Sequence, residues 1–477
     1  VAVASGRAPA SRLWRLLFEP VDIASLAVFR VGFGLLLARE LFVYLETGSV
    51  KAFWIDPDFY FTWLPFDWVK PWPGIGMVLH FYALIALALC IAAGACYRVS
   101  TALFGLGFTY AFLLDQSKYL NHWYLICLLC FLMTLVPAHR ALSVDAWLRP
   151  RLRSEQAPAW ALHLVRAQMG IVYFFGGIAK LNADWLQGRP MHMWLPGSIG
   201  LPGLEPLLAH PLAALLVSWA GLLFDLLVVP ALLWRRTRPF AFAAALAFHV
   251  LNSQMFEIGV FPWLAIWCTV AFFDPDWPRR VFNWPRRSAL PPAGAPRWDR
   301  SARALAAGLG LYLAIQVLVP LRHFLYPGDV SWTEEGHRFS WHMKLRSKMG
   351  RVSFRLTDPS SGRSWTVEPA DELAKWQVYK MSGNPFMVLQ YAHHLADLAT
   401  EPGLPRVEVR ALAVMTLNGE PAAPFIDPDV DLARVPRELF GPTDWILPED
   451  NELGRRLRET LPPFESRVSS HDDLSVD

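Results

Sequence analysis

Apolar and polar stretches alternate along the first two-thirds of the chain at a spacing set by bilayer thickness. Nine apolar runs, near 23–44, 75–95, 99–114, 119–137, 158–181, 211–234, 239–252, 258–273 and 301–320, each predict a helix. Several are shorter than the ~17 residues that cross a bilayer, which predicts tilted, broken or re-entrant segments. After Pro320 the period changes. Val352 to Leu356 alternates as a strand, the DPSSGR turn at 358–363 follows, and a second strand is expected at Trp365–Val367, making a hairpin. Asn384 to Thr400 has helical spacing, with Phe386, Leu389, Ala392 and Leu395 to one side, and Val407 to Leu417 alternates again. The expected fold is an α-helical polytopic membrane protein of about nine transmembrane helices with a C-terminal extracytoplasmic α+β domain. Its expected parts are a cytoplasmic lead (1–22), a polytopic transmembrane domain (23–320), the extracytoplasmic domain (321–465) and a disordered tail (466–477).

Charge orients the nine runs. Every second loop is basic: Arg98; then Arg140, Arg149, Arg151 and Arg153; then Arg235, Arg236 and Arg238; then Arg279, Arg280, Arg286, Arg287, Arg297 and Arg300. The opposite loops hold only Lys51, Lys70, Lys118 and Arg189. This alternation predicts a cytoplasmic N-terminus and an outside location for everything beyond Pro320. The first run, from Ile23, is too long for a cleavable signal peptide, so the first helix is expected to direct insertion itself.

Composition narrows the class. With 54% hydrophobic and only 18% charged residues, the chain reads as a membrane protein. A net charge of +3 gives no footprint for nucleic acid. All five cysteines lie in or beside apolar runs, and none follows Cys268, so the C-terminal part is stabilised without disulfides. Cys127 and Cys130 have C-x-x-C spacing but lack a second ligand pair, and read as packing residues rather than a metal site. His393 and His394 are adjacent on the amphipathic helix and read as a solvated face.

The candidate chemistry clusters at one depth. Lys180 ends the fifth run in GGIAKLNADWLQG, residues 176–188. Asn121 and His122 open the fourth run, and His249, Asn252 and Gln254 close the seventh. All three clusters are expected near the outer interface, where ionisable groups at membrane depth suggest a site. Each has a plainer reading: Lys180 as a snorkelling lysine, the others as interhelical hydrogen bonds. The functional reading makes Lys180 a general base. The loop Phe53–Pro73 carries Trp54, Phe59, Tyr60, Phe61, Trp63, Phe66, Trp68 and Trp72. A headgroup-level aromatic belt is the expected reading; a lid over an apolar ring-containing ligand would use the same residues. Arg30, deep in the first helix, requires a partner that the sequence does not name.

Six collinear stretches resemble the vitamin K-dependent γ-glutamyl carboxylase family: FRVGFG at 29–34, NHWYL at 121–125, AKLNADWLQG at 179–188, FHVLNSQMFEIGVF at 248–261, RHFLYPGDVSWTEEGHRFSW at 322–341 and LNGEPAAPFIDPDVDL at 417–432. The chain looks like a shorter, bacterial-type member. The resemblance implies reduced vitamin K (a phylloquinol- or menaquinol-type naphthohydroquinone), O2 and CO2, with no metal, converting glutamate of a peptide or protein to γ-carboxyglutamate as the quinol becomes its epoxide. It implies that Lys180 is the base for quinol deprotonation and that Asn121 and His122 orient and stabilise the oxygenated quinone. His249 and Asn252 fall in the F-H-x-x-N-S-Q stretch, and Trp341 falls near the glutamate site. The implied partners are a glutamate-containing substrate, the quinone pool and membrane lipid, in a bacterial inner membrane. Asn182 stands where the family has aspartate, and His337 and Phe339 stand where animal members carry tyrosines. Two alternatives stay open: a quinol epoxidase without glutamate carboxylation, and a non-enzymatic receptor or transporter on the same scaffold.

Overall fold

The computed structural model describes residues 16–198, 205–285, 299–441 and 443–460. The expected tail at 466–477, most of the N-terminal lead, and Arg286, Arg287 and Arg297 lie outside them. Each of the nine apolar runs overlaps a helix: α1 (Ala24–Glu46), α2 (Gly76–Ala93), α3 (Tyr97–Leu114), α4 (Asn121–Leu135), α5 (Ala159–Ala179), α6 (Pro211–Leu233), α7 (Arg238–Met255), α8 (Phe261–Thr269) and α9 (Arg300–Leu321). In an apolar setting a helix satisfies its own backbone, which is why such runs fold this way. Among the described residues, four helices are long and apolar enough to cross a membrane: α2, α5, α6, and α9 with its short extension to Leu325. Helices α4 and α8 are apolar but shorter.

One end of the bundle gathers cations. Strand β1 (Pro20–Asp22) pairs antiparallel with β2 (Gln156–Pro158), which leads into α5. Beside this pair Arg279 Nε donates to Asp22 Oδ2 at 2.8 Å, and its Nη2 donates to Glu155. Asp274 receives Arg235 at 2.8 Å and Arg238 at 2.9 Å. The partner of Arg30 is backbone. Its Nη1 donates to Ile91 O at 2.8 Å and Ala92 O at 2.5 Å, the carbonyls closing α2, and its Nη2 donates to Leu142 O. A cation at a helix C-terminus satisfies carbonyls that have no intrahelical partner.

The C-terminal half is built on a four-stranded antiparallel sheet in the order β4-β3-β5-β6: β3 (Lys348–Thr357), β4 (Ser364–Val367), β5 (Glu408–Leu417) and β6 (Ala423–Pro424). The expected hairpin is β3–β4, closed by the 358–363 turn, with Phe354 opposite Val367. Strand β3 pairs along its length with β5, from Lys348–Leu417 to Thr357–Glu408. Val352, Phe354 and Leu356 face one side and pack with Val409, Ala411 and Met415 beneath helix α10 (Pro385–Ala399). Helix α10 is buried more widely than its amphipathic spacing predicts. His393 and His394 are not a solvated face: His393 Nε2 hydrogen-bonds Val435 O at 2.8 Å, and the His394 ring lies 4.4 Å from Phe59.

The two halves exchange side chains. Phe61, from the loop after α1, is buried in the core of the sheet half. Trp341, from the C-terminal half, is buried in the core of the helices. The loop 53–73 is therefore only partly an aromatic belt. Trp54, Phe61 and Trp63 are buried, while Phe66, Trp68 and Trp72 are exposed. Polar bonds reinforce the exchange. The Gln116 and Gln390 amides hydrogen-bond at 2.9 Å, Gln377 Nε2 donates to Phe59 O at 2.7 Å, and Arg437 Nη2 donates to Asp67 Oδ1 at 2.9 Å.

Candidate functional site

Lys180 does not snorkel. Helix α5 ends at Ala179, and the chain turns through two short helices, Ala183–Leu186 and Arg189–Trp194, that pack on the first turns of α6 and cover the lysine. Trp185 Nε1 donates to Ser218 O at 2.8 Å, and Trp219 Nε1 to Leu186 O at 3.2 Å. Asn182 makes the turn: its Oδ1 accepts from Trp185 N at 2.9 Å, and its Nδ2 donates to Ala179 O at 2.8 Å. The second bond needs an amide, which gives the asparagine at this position a physical reason. The result is a lysine only 5% exposed. Its Nζ donates to Asp225 Oδ2 at 2.6 Å and to Gly176 O at 3.2 Å, with the Trp185 ring 5.2 Å away.

Asp225, also 5% exposed, lies in the middle of α6. Its carboxylate rests against the bare face of Gly176, where a Cβ would sit 3.2 Å from Oδ2 and 3.2 Å from the Met343 methyl group. One turn back on α5, on the same face, Tyr173 OH shares a 2.7 Å hydrogen bond with His249 Nε2. The other nitrogen, His249 Nδ1, is buried without a hydrogen-bond partner.

His122 and His249 flank one ring. Phe261, at the start of α8, lies 6.1 Å from the His122 ring and 5.9 Å from the His249 ring. Gly259 (φ +50°) precedes it. A Cβ there would lie 3.1 Å from Glu40 Oε1 and 3.9 Å from His122 Nε2, so the glycine lets the backbone close on both groups. Asn121 Nδ2 donates to His342 O at 2.9 Å, and its Oδ1 accepts from Tyr119 OH at 3.0 Å. Asn252 lies one turn beyond His249, half-buried. Trp341 stacks on Tyr124 at 5.0 Å, and its Nε1 has no hydrogen-bond partner. The sequence-derived Lys180, His122 and His249 therefore fall into two connected groups at the end away from the cation cluster. Lys180 with Asp225 is one. His122, His249 and Tyr173 around Phe261 are the other, joined to the first along α5.

The roof of the site is the segment 334–346, whose backbone is unusual. Glu334, Phe339, Trp341 and Lys344 all have positive φ, at 66°, 63°, 60° and 46°. For residues other than glycine such conformations cost about 1–3 kcal/mol each and persist only where packing enforces them, commonly at binding sites. Below them a charge network is buried. Glu334 Oε1 accepts from Arg346 Nη2 at 2.5 Å and Lys348 Nζ at 2.7 Å. Burial alone would raise the Glu334 carboxyl, but Arg346 and Lys348 outweigh it and hold it well below the ordinary range. His342 is pushed down to about 3, by burial first and by His323 and Arg346 next, so it is neutral. Burial lowers His337 in the same way. His342 Nε2 and His337 Nδ1 have no hydrogen-bond partner. Among the described residues, no three His, Cys, Asp or Glu side chains group as metal ligands.

Two family models match the chain. The HTTM domain model matches residues 18–277, and the lumenal-domain model of vitamin K-dependent gamma-carboxylase matches residues 301–452. The chain belongs to the vitamin K-dependent gamma-glutamyl carboxylase family. No solved structure matches it. The lumenal-domain match covers the roof segment and the sheet, and the HTTM match covers Asn121, His122, Lys180, Asp225 and His249.

Sequence reasoning missed Asp225 and Tyr173, and it read Glu40 as able to snorkel from the outer end of the first helix, whereas Glu40 is buried. Asp225 had a readable signal: it is the sole ionisable residue among the 23 of α6, and a lone acid in a membrane-depth helix implies a partner. Tyr173 had none, because its partner His249 comes from a helix distant in sequence.

Proposed function

We propose that the protein is a vitamin K-dependent gamma-glutamyl carboxylase. It couples oxygenation of reduced vitamin K to its epoxide with removal of a glutamate γ-proton and addition of CO2. The observation that carries this reading is the buried Lys180–Asp225 pair at 2.6 Å, because ionisable groups at membrane depth are costly and are retained where their chemistry is used. The surrounding side chains suit the cofactor. Phe261, Tyr173 and Phe224 offer aromatic surface to a fused ring, while Lys180 Nζ and the unpartnered His249 Nδ1 suit its oxygens. When bound with O2, the cofactor supplies a base far stronger than any side chain, as a γ-proton requires.

The chain's own groups then have separate tasks. Lys180 takes a hydroxyl proton. His122 faces developing negative charge, and Asn121 fixes the start of its helix by bonding to the roof. Phe261, Trp185 and Trp341 exclude water. His249 and Asn252 complete the ring-binding wall. The acidic substrate approaches 334–348, where four cations, Arg338, Lys344, Arg346 and Lys348, face two carboxylates, Glu334 and Glu335. The free nitrogens of His337, Trp341 and His342 are available as donors to it. The reading sets nine helices within 23–320 across a bacterial inner membrane, with the cation-rich end cytoplasmic and 321–465 outside, as the loop charges favour.

The test is mass spectrometry of a glutamate peptide incubated with the protein, reduced vitamin K, O2 and bicarbonate. The expected product carries one added CO2 per modified glutamate, together with the epoxide. Epoxide without peptide modification would leave the epoxidase reading; neither product would overturn both.

A further inference from the structure

We propose that Asp225 takes up a proton from Lys180 as Lys180 abstracts one from the cofactor's hydroxyl, so that the two residues act as one base. This rests on the reading of Lys180 as the group that meets the cofactor's hydroxyl. The geometry motivates it. A carboxylate 2.6 Å from Nζ favours the ammonium. An ammonium has no lone pair and cannot accept a proton. A lysine base and an ionised partner at this distance are therefore at cross purposes, unless the partner takes the proton.

The surroundings allow that. Both side chains are 5% exposed, and Asp225 is enclosed by Gly176 of α5 and Met343 of the roof. In a poorly polarisable interior two opposite charges lose much of their hydration energy, which narrows the gap to the neutral amine–acid form of the same pair. The proton between Nζ and Oδ2 crosses to oxygen, breaking an N–H bond and forming an O–H bond. The exposed amine lone pair then forms an N–H bond with the proton of an incoming hydroxyl. At the end Lys180 is an ammonium and Asp225 a carboxylic acid. The pair has gained one proton, the hydroxyl has lost one, and no electron has been transferred. The positive charge that stays on Lys180 lies next to the anion it has made.

The test uses the purified full-length protein in lipid nanodiscs, without O2, at neutral pH. The probe is a naphthol whose second oxygen is methylated, leaving one ionisable hydroxyl and a distinct absorbance for the anion. The wild type is expected to ionise the bound probe and to show, in the infrared difference spectrum, a new band of a protonated carboxylic acid. Asp225→Asn is expected to lower the ionised fraction by on the order of 10-fold or more and to lack the band; Asp225→Glu should retain part of both. An Asp225→Asn protein that ionises the probe like the wild type overturns the inference, and so does wild-type ionisation without the acid band. The latter measurement needs no variant to fold. Lys180→Ala separates the two readings. If it ionises the probe normally, the base assignment itself fails. If it is silent while Asp225→Asn is normal, Lys180 acts alone and only the shared base fails. A wild type that binds the probe without ionising it overturns both.

Discussion

The molecule buries two charge clusters, and they are built differently. In the roof, Lys348 Nζ reaches Trp332 O at 2.9 Å, Gly383 O at 3.0 Å and Glu334. Arg346 reaches Val330 O and Ser331 O, each at 2.9 Å, as well as Glu334. Each of the two cations there has two backbone carbonyls beside the carboxylate. In the helices, Lys180 has one carboxylate and one carbonyl, at 3.2 Å. A fully satisfied network rigidifies its surroundings, whereas a sparsely satisfied pair retains a donor and a lone pair for a ligand. On the proposed reading the first cluster is structural and the second chemical.

Four measurements would break or sharpen that division. The largest effect is expected from Lys180→Ala, which should lower epoxidation and carboxylation by about 10²–10⁴-fold, the usual worth of a general base. A near-normal rate would move the chemistry elsewhere. Because Lys180 is paired rather than exposed, this variant should also lose stability, unlike a lysine at a helix end that reaches solvent. Next, Glu334→Gln should cost about 3–5 kcal/mol in chemical unfolding, since it strands two buried cations, while the turnover of the protein that remains folded persists. Loss of turnover without loss of stability would make the roof network catalytic.

The third effect is pH-dependent. Glu334 is held below its ordinary value of 4.5, so the unfolded state binds the proton first. The stabilisation is complete above about pH 4.5 and falls as pH drops toward the folded value, by up to about 1.4 kcal/mol per pH unit. Unfolding at several pH values should show a steeper slope in the wild type than in Glu334→Gln, where other paired carboxylates such as Asp274 still contribute. The smallest effect is expected from Lys180→Met/Asp225→Leu. Replacing both charges with apolar groups should return stability to within about 1 kcal/mol of the wild type, with activity still absent. A large stability deficit in the double variant would mean that the pair is architectural.

The parts of this fold that were legible in the sequence are those governed by local periodicity. The nine apolar runs became helices, and the alternation at 352–356 and 407–417 became paired strands. What periodicity cannot carry is which group meets which across the bundle. Arg30 finds carbonyls some 60 and 112 residues away, and Phe61 leaves an aromatic loop for the core of a sheet. The candidate site shows the same division. That Asn121, His122, Lys180 and His249 lie toward one end of the bundle could be read from helix ends. The snorkelling alternative for Lys180 failed because the two short helices after it extend the bundle, which no hydropathy window registers.

The exchange of Phe61 and Trp341 constrains how such a molecule can change. A hybrid that takes its helices from one relative and its sheet from another receives a pocket for an aromatic ring without the matching ring, twice over. Each mismatch would leave a cavity in one core and a stranded ring beside it, a kind of defect that costs about 3–5 kcal/mol when a large buried aromatic is lost. The two halves are therefore expected to vary together, with substitutions at the Phe61 and Trp341 pockets tracked by compensating ones across the seam. The roof that would receive an acidic substrate and the helices that would receive a quinol share this seam, so a change fitted to one ligand is felt in the packing around the other.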